Sequence, residues 1–80
     1  MTSREKRFEK IITGKAKVYA FEDIRNFLEH YGFKASKARS SHFIFRRKSY
    51  PHITIVTHKQ NVKAVYVKRM VQILRDYHIL

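Results

Sequence analysis

Eighty residues without a cysteine make one small domain with neither a disulfide framework nor a thiolate metal site. Such a chain buries only roughly 60–65% of its unfolded surface, so its core must be dense, and six Phe and five Tyr supply much of the bulk. Eighteen Lys and Arg against six Asp and Glu give a net charge of +12, which favours a polyanionic partner: nucleic acid first, an acidic protein second, an anionic membrane third. No apolar run approaches the ~20 residues of a membrane span, no amphipathic stretch has the strongly apolar face that membrane binding needs, and Met1–Lys10 is too charged for a secretory signal. A soluble cytoplasmic protein with no membrane partner is the expectation.

Ser3–Thr13 is predicted as a short helix with Phe8, Ile11 and Ile12 on one stripe, capped by Ser3 and stopped by Gly14. Lys15–Tyr19 has no periodicity and reads as a linker. Residues 1–19 are therefore expected as an N-terminal helix and linker, ahead of a domain spanning 20–80. Phe21–Tyr31 has the spacing of one helix face (Phe21, Ile24, Leu28, Tyr31), with Glu22 and Asp23 in the first turn, where the helix dipole favours negative charge, and Gly32 as the stop.

Three strands are expected next: Phe33–Arg39, the run Arg39–Lys48, and His52–Thr57, with Ser49-Tyr50-Pro51 breaking the last two apart. By parity, Phe43 and Phe45 share the core face of the middle strand, and His42, Ile44 and Arg46 share the open one. His58–Ala64 reads as a basic loop. Val65–Tyr77 returns to helical spacing through Val67, Met70, Val71, Leu74 and Tyr77, and His78-Ile79-Leu80 either prolongs that helix or packs back as a tail. The predicted fold is α+β: a three-stranded antiparallel sheet with two helices on one face, αβββα, like a double-stranded-RNA-binding domain, plus the short N-terminal helix.

At this point four stretches, Phe21-Glu22-Asp23, Tyr31-Gly32-Phe33, Ser41-His42-Phe43-Ile44-Phe45-Arg46 and Tyr66-Val67 leading to Val71, Ile73 and Leu74, match a known pattern in order and spacing. The chain resembles a HicA-type toxin over residues 20–77, with Ser40 standing where that family usually has Gly. The resemblance implies an αβββα fold, metal-independent mRNA cleavage that needs the histidine at position 42, no cofactor, and neutralisation by a cognate HicB-type antitoxin.

The chemistry is also plausible from the residues themselves. RNA can be cut by attack of a 2′-hydroxyl on its own phosphodiester, which needs a base, an acid and cations but no metal. An imidazole that titrates near neutral pH can act as acid or base, typically for roughly a 100- to 10,000-fold gain. His42 is the candidate. Lys37, Arg39 and Arg46 are placed by parity and proximity to hold phosphate. Ser41 can orient His42 or donate to a phosphate oxygen, and Arg47, Lys48, His58 and Lys59 complete the candidate RNA-binding set. Most histidines have no catalytic role, and without the resemblance His42 reads as an ordinary strand residue. His30, His52 and His78 read as surface residues, and the five histidines show no HxH, HxxxH or HExxH spacing. The alternatives are a non-catalytic RNA-binding module on the same basic face, and a basic structural domain for an acidic protein.

Overall fold

β3 (His42–Arg46) is the central strand of the three-stranded sheet. It runs antiparallel between β2 (Lys34–Arg39) and β4 (Ile53–Val56), with Phe43 opposite Ile55 and Phe45 opposite Ile53. The structure is a computed structural model that describes residues 2–80. Period-two alternation sends Phe43, Phe45, Ile53 and Ile55 to one face of this sheet, where α2 (Phe21–His30) and α3 (Ala64–Asp76) cover them. Ile24, Phe27 and Leu28 of α2 and Val67, Met70 and Leu74 of α3 are fully buried against Phe45 and Ile55. Phe43 closes the rim of that layer, its ring 4.4 Å from that of Phe21.

The helix ends are closed by backbone geometry. Gly32 stands after α2 with φ 88°, its N–H donating to Glu29 O while Phe33 N donates to Leu28 O, both at 3.0 Å. The same pair of bonds ends α3: His78 N donates to Arg75 O and Ile79 N to Leu74 O, with His78 at φ 59°. Both are Schellman closures, and each folds an apolar residue, Phe33 or Ile79, back onto the core. The chain end therefore packs back rather than prolonging the helix.

Three expectations are corrected. The cap of α1 (Ser3–Thr13) is Thr2, whose Oγ1 accepts from Glu5 N at 3.1 Å, one residue before the expected Ser3. The stretch read as a linker runs into β1 (Val18–Ala20), and the stretch read as a loop contains β5 (Asn61–Lys63). The two pair antiparallel with Tyr19 opposite Val62, both buried. α1 also packs into the core: Ile11 is buried, and Phe8 meets the Phe27 ring edge-on at 5.0 Å. The Tyr19 hydroxyl ties ribbon to helix, donating to Lys10 O at 3.3 Å and accepting from Ala16 N at 3.2 Å.

β4 reaches β5 through His58-Lys59-Gln60-Asn61, where His58 and Asn61 exchange both backbone hydrogen bonds. Lys59 and Gln60 have φ 51° and 65°, the signature of a type I′ hairpin turn, which usually takes Asn-Gly. Among the described residues no helix is long and apolar enough to cross a membrane.

Candidate nucleic-acid interface

The face of the sheet opposite the helices carries His42, Ile44 and Arg46 of β3, and, by register, Thr54 and Val56 of β4. His42 sits directly across from Val56 and is half-buried. Its Nδ1 is shielded from solvent and has no hydrogen-bond partner, so no second group fixes the tautomer or the orientation of the ring.

A bulge decides which cation joins it. Lys37 pairs with Phe43, but Arg39, not Ala38, pairs with His42, so Ala38 is the extra residue. Without a bulge, residues 37 and 39 would share a face. With it, Lys37 belongs to the Phe43 side and Arg39 to the His42 side. Ala38, Arg39, His42, Ile44 and Thr54 together line a shallow groove of about 270 Å³.

The turn that joins β2 to β3 is Ser40-Ser41, and neither residue has a positive φ, so Ser40 sits without left-handed strain in the position where glycine was the expectation. The Ser41 carbonyl accepts from Thr57 N at 2.8 Å and, weakly, from Thr57 Oγ1 at 3.4 Å. Ser41 and Val56 also line a second cavity, of about 350 Å³, with Thr57, His58, Asn61, Lys63 and Tyr66. The His42 groove and this cavity are thus neighbours, flanking the β3–β4 pair at the same end of the sheet.

The remaining candidates are dispersed. Arg46 lies on the His42 face about 13 Å further along the strand, with Nη1 3.3 Å from His52 Nε2. Arg47 is half-buried and committed to contacts within the protein: Nη1 donates to Tyr31 O at 3.0 Å, and the guanidinium lies 4.5 Å from the Tyr50 ring centre. Tyr50 is held there against Phe33 and Tyr77, which makes it a packing residue. Lys48 is exposed in the turn at the far end of β3, and Lys59 is exposed at the tip of the β4–β5 turn.

Charge separates along the chain in the same sense. All six carboxylate side chains lie in helices: Glu5 and Glu9 in α1, Glu22, Asp23 and Glu29 in α2, Asp76 at the end of α3. From His30 to Arg75, which includes every residue of β2–β5, there is no acidic residue at all. The open sheet face and both of its cavities are free of carboxylates.

The sequence pattern missed several lining residues. Thr54 and Val56 were accessible from the parity of β4 against β3. Thr57, Asn61 and Lys63 were not, because their placement depends on the β1–β5 ribbon, whose three-residue strands are too short to show a period. Among the described residues, no three His, Cys, Asp or Glu side chains cluster at metal-binding distance. Comparison with protein-family models, with curated proteins and with solved structures finds no match for this chain.

Proposed function

We propose that the protein is a metal-independent endoribonuclease in which His42 transfers the proton of the attacking 2′-hydroxyl. In this reading it is the toxin half of a toxin–antitoxin pair, with a dsRNA-binding-domain-like arrangement of its central αβββα elements. The observation that carries the reading is a half-buried imidazole on an open sheet face that has cations and no carboxylates. His42 takes the 2′-OH proton as the 2′-oxygen bonds to phosphorus. The bond from phosphorus to the 5′-oxygen breaks, and that oxygen takes a proton from water. The products are a 2′,3′-cyclic phosphate and a 5′-hydroxyl. Because Nδ1 is shielded, Nε2 is the nitrogen that exchanges the proton. Arg39, opposite His42, supplies the cation for the phosphorane oxygens.

Purified protein incubated with single-stranded RNA and EDTA should generate 2′,3′-cyclic phosphate ends, and His42→Ala should abolish them while leaving the melting temperature nearly unchanged. If His42→Ala cuts as fast as the parent, the assignment is wrong. A specific observation supports the second reading, a non-catalytic RNA-binding module: His42 is the one titratable acid or base lining its groove. In that case RNA stays intact on long incubation and only binds, log K falling about 0.7 with each tenfold rise in salt for every phosphate neutralised on a single strand. An adjacent small reading frame for an acidic antitoxin separates the two without purification.

A further inference from the structure

The cavity beside His42 carries more chemistry than an RNA-backbone groove needs. Val56, the cross-strand partner of His42, is one of its walls, and Ser41, the residue before His42, is another. Opposite them stand Asn61 and Lys63 of β5 and Tyr66 in the first turn of α3. Its volume, about 350 Å³, falls at the lower end of the range of small-ligand sites.

Four of the lining groups each fit part of one ligand. Lys63 is an exposed ammonium with no acid among the cavity residues to neutralise it, which favours an anionic group. Asn61 offers both an amide donor and an acceptor, a pair that can read a base edge, whereas a bare anion uses only donors. Tyr66 offers a ring, and base–aromatic stacking is worth about 1–3 kcal/mol per base in single-strand binders. The hydroxyl of Thr57 is held only by a 3.4 Å bond to Ser41 O and is free to turn to a ligand. An anion, a two-sided hydrogen-bonding edge and a flat ring surface together describe a nucleotide.

We infer that this cavity is a nucleotide subsite that holds the residue of a single RNA strand next to the bond cut at His42, its base against Tyr66 and Asn61 and its phosphate on Lys63. The inference rests on the ribonuclease reading for the bond that is cut, but not for the binding itself. It gives the enzyme a preference for the identity of one base, since Asn61 is satisfied by some base edges and left unpaired by others.

The test uses nucleoside 5′-monophosphates (AMP, CMP, GMP, UMP) titrated into the isotope-labelled full chain, followed by amide NMR shifts, with inorganic phosphate as a parallel probe. The expected result is saturable shifts at Thr57, Asn61, Lys63 and Tyr66, strongest for one or two bases. Asn61→Ala and Lys63→Gln should each weaken binding at least about 5-fold, and Lys6→Gln, the same charge change on exposed α1 away from the cavity, should leave it unchanged. Shifts confined to other surfaces, or affinities untouched by both substitutions, overturn the inference. So does inorganic phosphate matching the monophosphates in affinity and shift pattern, which makes the cavity an anion site only. Binding without RNA cleavage sinks the ribonuclease reading and leaves the subsite standing. Cleavage dependent on His42 without monophosphate binding does the reverse.

Discussion

Arg39 and Lys37 are two positions apart on one exposed strand, carry the same charge, and differ only in which face the Ala38 bulge assigns them. Arg39→Ala and Lys37→Ala therefore change net charge and long-range steering equally, and any difference between them measures local placement. Removing a donor aimed at a developing oxyanion costs about 100- to 1000-fold in rate in an enclosed site. Arg39 is exposed, so solvent screening lowers this, and the expected loss in kcat/KM is about 10- to 100-fold, or about 1.4–2.7 kcal/mol. Arg39→Lys should fall between, since an ammonium keeps the charge but loses the planar fork. Lys37→Ala should stay within about 2-fold of the parent. Both substitutions sit on an exposed edge, so melting should shift by no more than about 0.5 kcal/mol in stability. The assay is the initial rate on single-stranded RNA below saturation, with EDTA, at two salt concentrations. Equal losses for the two variants, or a larger one for Lys37→Ala, would refute the bulge-directed assignment.

The remaining predictions concern the left-handed positions and the guanidinium turned inward. His78→Gly removes a non-glycine αL penalty of about 1–2 kcal/mol and gives back about 0.4–1 kcal/mol to the unfolded chain, so stability should rise by about 0.5–1 kcal/mol in chemical denaturation. Gly32→Ala places a side chain in the same kind of position, 3.4 Å from Arg47 Cδ, and should cost about 1–2 kcal/mol in the same measurement. Gln60→Gly, at the second residue of the type I′ turn, should stabilise like His78→Gly, and the two gains should add because the sites share no partner. Arg47→Ala breaks the bond to Tyr31 O and the contact with Tyr50, so thermal melting should report a loss of about 1–2 kcal/mol while RNA cleavage per folded molecule changes less than about 2-fold.

The parts of this fold legible in sequence are those with a period long enough to repeat. α2 and α3 show their apolar positions three or more times each and β3 shows Phe43 and Phe45, so their faces follow from counting. β1 and β5 do not: three residues give one inward side chain apiece, Tyr19 and Val62, and a single inward residue shows no period. The end of α3 lies between these cases. Leu28-Glu29-His30-Tyr31-Gly32-Phe33 and Leu74-Arg75-Asp76-Tyr77-His78-Ile79 close in the same way, but only the first advertises its turn with glycine. The site was half legible for the same reason. Parity placed His42, Ile44 and Arg46 together, but a bulge has no signature in Lys37-Ala38-Arg39, so Lys37 was grouped with Arg39.

Charge alone would let a +12 chain bind RNA on any side, and the distribution of carboxylates narrows that freedom. Two cations of the helical layer are offset locally: Arg7 Nε approaches Asp23 Oδ1 at 3.9 Å, and Arg25 pairs with Glu22. Across β2–β5 nothing offsets Lys34, Arg39, Arg46, Lys59 and Lys63. A polyanion therefore gains most on the face where His42 stands, and in the proposed reading the same electrostatic term draws RNA to the imidazole. The same asymmetry sets a condition on neutralisation. A partner that covers only the helices leaves that face open and the RNA competing freely. Under the proposed toxin reading, an antitoxin has to place its own carboxylates across the β3–β4 end of the sheet, where they would displace RNA from Arg39 and Lys63 together.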